Sequence, residues 1–295
     1  MYHCTDSRQV QRHGSGPKDL RQGKGIGVVE MAMKRGGQII HEGEARLTEE
    51  MKVWEDLATM DPLWSILTEP GKRHGKWGLQ EFFATGEKEI DGLMNKSEMF
   101  HRPLGRGIAL DFGCGVGRLT RGLARHFEKC YGIDISPTMI EKAKKLNREI
   151  SNCEFLLNKE ENLNVFPTDH FDMVYAALVL QHIMNEEVIK SYVSEFVRVV
   201  KTGGLAVFQL PSYISPIYLV QPRVNAILYS VFSKAGFDKR LLYERFGLVP
   251  MGVNYVSEGE IIGLLESLGA DVLDCQREPW PGKFRGISNT YFFTK

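Results

Sequence analysis

The chain has 295 residues, with 37 Lys and Arg set against 37 Asp and Glu, and 43% of its residues are hydrophobic. That is enough for one large domain, or for a core with attached lids, and the balanced charge offers no basic field to draw in a nucleic acid. Five cysteines without a C-x-x-C pair fit reduced thiols in a cytoplasmic protein, and the longest apolar run, Met173 to Leu180, is too short to span a bilayer.

Residues 1–45 are rich in Gly, Lys, Arg and Gln with little periodicity, and are expected to form a flexible extension. Gly23, Gly25 and Gly27 alternate there, but their spacing is not that of a Walker A loop and no strong strand precedes them. Residues 46–104 read as a helical, aromatic-rich segment. Thr48 can cap a helix carrying Met51, Trp54 and Leu57, a short piece follows at Asp61 to Leu67, and Leu79 to Leu93 carries Phe82, Phe83 and Ile90 at helical spacing. Two roles are open to these aromatics. They can cover a sheet, or Trp77, Phe82 and Phe83 can line a lid over a ligand.

The stretch from Ala109 to Thr120 reads as a buried strand, a glycine turn and a helix. Gly113, Gly115 and Gly117 allow the backbone to approach a ligand closely and to adopt positive φ. Arg118 stands where a dinucleotide fingerprint would place its last glycine, so the spacing is G-x-G-x-G. Asp111, two residues ahead, would repel a pyrophosphate and attract an ammonium group. A second strand, Cys130 to Asp134, ends in an acid placed to accept hydrogen bonds from ribose hydroxyls. Ser136 and Pro137 then open a helix with Ile140, Ala143 and Leu146 on its inner face.

Asn152 to Leu157 is a third strand and Asn158 to Leu163 a loop. Phe171 to Leu178 is a continuous apolar fourth strand, as a central parallel strand requires. A helix begins near Asn185, and Leu205 to Leu210 is strand five. Residues 211–256 interrupt the rhythm with three prolines and one amphipathic helix around Val224 to Phe232, which either packs on the core and its N-terminal helices or roofs a substrate. Ser257 and Glu260 form a capping box. Ala270 to Cys275 and Asn289 to Thr294 complete seven strands. Alternating strands and helices argue for a parallel sheet.

Asp111 to Gly117, Asp134, the Phe166 to Ile183 segment and the C-terminal hairpin together resemble the class I, Rossmann-like S-adenosylmethionine (SAM)-dependent methyltransferases, within their broad type 11/25-like small-molecule group. The resemblance covers residues 105–295, with 211–256 as a helical insertion. It implies an α/β fold with a seven-stranded, mostly parallel sheet, the last strand antiparallel, flanked by helices under an N-terminal helical lid. It implies SAM as cofactor, held by Asp111, Gly113, Gly115, Gly117, Asp134, Ile135, Met139, Ala177 and Leu178. In the adenine loop Lys159 stands where the family has an acid, so Glu160, Glu161 or Asn158 takes that contact. His182, just past strand four, is the residue suited to act as a base. No N-P-P-Y-type sequence follows strand four, which favours an oxygen, carbon or alkyl-amine acceptor on a small molecule, with no nucleic acid and no metal. A nicotinamide-linked oxidoreductase and a non-catalytic binding protein of the same fold are the competing readings.

Overall fold

The computed structural model describes residues 42–279 and 286–295, together with Lys34–Arg35 and Gln38–Ile39, which pair as two short antiparallel strands. Most of the expected extension, residues 1–45, lies outside the described residues. The chain divides into two units, residues 1–40 and 41–295, and the main sheet lies in the second.

Seven strands form that sheet: β1 (Ile108–Phe112), β2 (Lys129–Asp134), β3 (Cys153–Leu157), β4 (Phe171–Ala176), β5 (Val200–Ile214), β6 (Asp271–Pro279) and β7 (Gly286–Thr294). Their spatial order is β3-β2-β1-β4-β5-β7-β6. All neighbours are parallel except β7, which runs antiparallel to both β5 and β6. The strand order reverses between β1 and β4, and ligands of open α/β sheets bind at such a switch point, beyond the strands' carboxyl ends.

The period-two pattern of the central strands feeds two layers of helices. On one face, Leu110, Val174 and Phe208 pack against α6 (Glu186–Val199) and α9 (Glu258–Ser267) through Ile189, Phe196, Ile261 and Leu265. On the other, Ala109, Met173 and Val207 pack against α3 (Leu79–Ser97) and α4 (Arg118–Leu123) through Ile90, Leu93, Leu119 and Leu123. Helices α3 and α4 cross at contact distance, because a Cβ on Gly86 would lie 2.3 Å from the Arg118 carbonyl oxygen. Helix α5 (Pro137–Leu146) starts where Ser136 accepts the Met139 N–H, with Pro137 in its first turn.

Element ends depart from the sequence reading where local geometry decides. The first helix, α1, runs Glu42–Met60, so Thr48 lies inside it, and the short α2 is Pro62–Ile66. β4 stops at Ala176 because Leu178 takes a left-handed φ of 62°. β5 continues through Pro211, where a register shift before Tyr213 accommodates a residue without an N–H. The insertion begins earlier than its periodicity predicts, as α7 (Pro216–Lys234) with Pro222 inside it, followed by α8 (Lys239–Phe246).

The insertion docks on the N-terminal helices. Asp56 of α1 accepts from Tyr229 Oη at 3.2 Å and from Lys239 Nζ at 2.7 Å. Asp61, almost fully buried, accepts from Tyr243 Oη at 2.9 Å and from the backbone N–H of His74 and Gly75. The Arg73 guanidinium lies over the rings of Trp64 and Tyr243. The insertion thus packs on the N-terminal helices, which form the roof of the candidate active site.

Candidate active site

A cleft of about 970 Å³, counting its open mouth, lies at the switch point. The glycine loop forms its floor. Gly113, Gly115 and Gly117 have φ of 70°, 54° and 86°. A Cβ on Gly113 would lie 2.4 Å from Val179 and one on Gly115 2.5 Å from Ile66, so side chains there would fill the space the loop leaves. The loop is pinned to β2 by the Cys114 N–H, which donates to the Ile133 carbonyl at 2.9 Å.

Asp134 stands at the carboxyl end of β2, on the cleft wall. Its Oδ2 accepts from Gly115 N–H and its Oδ1 from Ser136 N–H, each at 2.9 Å. Burial pushes its carboxyl up to about 6, against the lowering effect of these N–H donors. Each carboxylate oxygen keeps further acceptor capacity, as a vicinal diol requires. Ile135, Met139, Ala177, Leu178 and His182 share the same cleft.

Four of the residues expected to hold the cofactor do not line it. Gly117 takes part only in the turn. Asp111 lies behind the loop, 1% exposed, with Oδ2 accepting from Thr120 Oγ1 at 2.6 Å and Oδ1 without a partner. Burial pushes its carboxyl up to about 7, which favours the neutral acid. Glu160 and Glu161 are not among the lining residues, and their backbone carbonyls accept from Tyr192 Oη and Ser191 Oγ. Asn158, the third candidate for the adenine contact, is the residue of that loop on the wall. Its backbone N–H donates to the Asp134 carbonyl, and its Nδ2 donates to the Asn162 carbonyl.

The roof contributes Glu50, Trp54, Ser65 and Ile66. Trp77, Phe82 and Phe83 pack instead with Ala58, Val116 and Met139, behind the cleft. Helical periodicity alone could not separate these groups, since it shows which residues share a face and not which neighbour that face meets. Arg118 also reaches the cleft. It is 2% exposed and pairs with Glu89 of α3 at 2.8 Å, while Glu89 accepts from Tyr175 Oη at 3.0 Å.

His182 donates from Nδ1 to the Gly252 carbonyl at 2.9 Å, which leaves Nε2 as an acceptor, 3.1 Å from the Gln181 amide nitrogen. Burial lowers its pKa, although the Gly252 bond favours the proton. The ring meets Trp54 edge-on at 5.4 Å. Among the described residues no three His, Cys, Asp or Glu side chains gather as a metal site, and no helix is long and apolar enough to cross a membrane.

The strand order, the reversed last strand and the glycine loop at the switch point are those of the Rossmann-like fold of class I methyltransferases. Residues 110–208 match the family model described as "Methyltransferase domain". It is similar to a demethylmenaquinone methyltransferase of Tropheryma whipplei, 31% identical over 130 residues, which are 41% of this chain and 52% of the relative. It is also similar to phosphoethanolamine N-methyltransferase 3 of Arabidopsis thaliana, 26% identical over 37% of this chain and 22% of the relative. The chain thus spans about half or less of the length of these curated relatives. In fold it matches magnesium protoporphyrin IX methyltransferase from Synechocystis PCC 6803, solved with bound S-adenosylhomocysteine (SAH), at a TM-score of 0.54 and 17% identity over 85% of this chain and 99% of that one.

Proposed function

We propose that this chain methylates a small-molecule acceptor held under the roof of N-terminal helices. The observation that carries this reading is the Asp134 carboxylate, fixed beside the glycine loop by Gly115 and Ser136 N–H and open to the cleft. The residues fit SAM chemically: a carboxylate for a ribose diol, a loop where any Cβ would clash, and the apolar side chains of Ile135 and Met139 for a flat base. Asn158, which lines the cleft, supports an adenine contact from this loop. When bound, SAM supplies an electrophilic methyl on a sulfonium, which an in-line nucleophile displaces.

The chain's own work is orientation, exclusion of water and, where the acceptor must lose a proton, its removal. His182 is suited to that last task. It is neutral at physiological pH, and its Nε2 lone pair is available once the Gln181 amide gives way. Trp54, Ile66 and Leu178 supply apolar wall around it. Demethylmenaquinone and phosphoethanolamine, the substrates in the relatives' names, are both small molecules and support this acceptor class.

The test is calorimetry with SAM, SAH and NADH, followed by SAH release against a metabolite panel and an RNA pool. Binding of SAM and SAH with turnover on a metabolite is the expected result. Tight NADH binding without SAM binding overturns the reading, and turnover on RNA alone overturns the acceptor class.

A further inference from the structure

Helix α7 wears its apolar side outward. Ile217, Val220, Val224, Ile227 and Val231 are between 44% and 73% exposed. Meanwhile Asn225, Ser230 and Ser233 of the same helix are partly buried. The exposed set is spaced three and four residues apart in alternation, which is the seam of a paired helix rather than scattered surface hydrophobics. Leu228 and Phe232 flank the seam, and Phe237, 5.3 Å from the Phe232 ring, extends it past the helix end.

We infer that this face is a self-association surface, covered by the α7 helix of a second copy of the chain across a two-fold axis. At ~150 Å² for a fully exposed large side chain, the seam together with Leu228, Phe232 and Phe237 offers roughly 600 Å² per copy, at the top of what a single patch on a monomer reaches. Two copies together bury about 1,200 Å², the lower bound of a specific, stable interface. The seam meets itself without repulsion, since α7 carries no acid, and its cations, Arg223 and Lys234, stand off the seam on one flank. A two-fold interface needs such a self-complementary patch, and homodimer interfaces are the more apolar kind. A lipid surface fits less well, because the remaining faces of α7 lack the Lys- and Arg-rich belt of an interfacial helix. A small ligand is disfavoured by shape, since the outer face of a helix is convex.

The test is sedimentation velocity of the full chain over a concentration series. The wild type is expected to shift towards twice the monomer mass as concentration rises, and Val224→Glu with Ile227→Glu to remain monomeric with an unchanged circular dichroism spectrum. Should that variant misfold, Val224→Cys provides the second arm. Position 224 is mid-seam and meets its own copy in either helix orientation, so a short bismaleimide should cross-link Val224→Cys and not the exposed control Glu141→Cys. A wild type that is monomeric throughout, or a dimer untouched by the glutamates, overturns the inference. So does flotation of a monomeric wild type with phosphatidylcholine–phosphatidylserine vesicles that the glutamates abolish, which would assign the face to lipid.

Discussion

Glu55, in α1, accepts a hydrogen bond from Ser136 Oγ at 2.6 Å, two residues beyond Asp134. It also accepts from Thr138 through both its hydroxyl and its N–H. A carboxylate from the roof thus sits on the N-terminus of α5, where the helix dipole favours it. Although burial opposes it, hydrogen bonding by Ser136 and Thr138 holds Glu55 below the usual glutamate range. The roof is latched to the segment that carries the proposed ribose acid. Glu55→Ala should lower the melting temperature by a few degrees, as loss of about 1 kcal/mol implies. It should also speed SAM dissociation several-fold in stopped-flow measurements. An unchanged dissociation rate would show that the latch does not gate the cleft.

Asp134 offers a test that separates charge from shape. Asn at 134 keeps the size but loses one acceptor oxygen and the charge. SAM affinity should fall by about 1–3 kcal/mol, the usual worth of a hydrogen bond to a charged group. The wild-type carboxyl sits at about 6, so SAM binding should weaken as pH drops through that value. The Asn variant should lack this dependence. Calorimetry at several pH values reads both effects, and an affinity that is unaltered in the variant removes Asp134 from the site.

The sheet is readable in the sequence because its signals are local. Strand periodicity, the Ser136–Pro137 cap and the Ser257–Glu260 box each depend on neighbours in the chain. The floor of the cleft is readable for the same reason, as Gly113, Gly115 and Asp134 belong to two adjacent strand ends. The roof is not. Which of Trp54, Trp77, Phe82 and Phe83 faces the cleft depends on how α1 and α3 rotate against α4 and α5, a tertiary choice. In the loop after β3 the limit is a different one. Glu160 and Glu161 are acids in the right segment, yet the Asn158 N–H bond to the Asp134 carbonyl turns that residue to the wall instead. Docking of the insertion on Asp56 and Asp61 rests on contacts some 170 residues apart, beyond any local pattern.

Asp111 should leave a mark on stability rather than on binding alone. Its carboxyl is buried, with one oxygen unpartnered, and stays protonated up to about 7 in the folded chain. In the unfolded chain it ionises near 3.8. A raised acid favours the folded state fully below the unfolded value, and this contribution is lost as pH climbs to the folded value. Folding free energy in the absence of ligand should therefore decline between about pH 4 and 7, by a few kcal/mol at most. Asp111→Asn should flatten that slope and unfold at higher urea than wild type near pH 8. Parallel slopes in the two proteins would mean that another group carries the titration.

The roof joint predicts a cost for one hydroxyl. Tyr243 is 1% exposed and its Oη donates to the buried Asp61 carboxylate. Tyr243→Phe leaves that carboxylate with only the His74 and Gly75 N–H groups. Stability should drop by about 1–3 kcal/mol, the penalty for a buried acceptor that loses a partner. Chemical denaturation measures it, and a change within experimental error would show that the roof is not held there.

His182 decides whether the site does acid–base chemistry. The Gly252 carbonyl can only accept, so Nδ1 carries the proton and Nε2 is the basic atom. Gln181 presents its amide nitrogen to that lone pair, while its Oε1 is buried without a partner. An acceptor hydroxyl or ammonium approaching Nε2 would displace the amide nitrogen and donate in its place. Burial holds the imidazole below its usual value, so the neutral, basic form persists to lower pH than in a free histidine. His182→Phe should reduce kcat by about 100-fold or more, as loss of a general base does, with SAM affinity kept within a few-fold. Gln181→Leu should alter the apparent pKa of kcat/KM without such a loss, since it removes only the competing donor. Full turnover with an unshifted pH profile in His182→Phe would assign the ring to packing against Trp54 and leave the acceptor to react without a protein base.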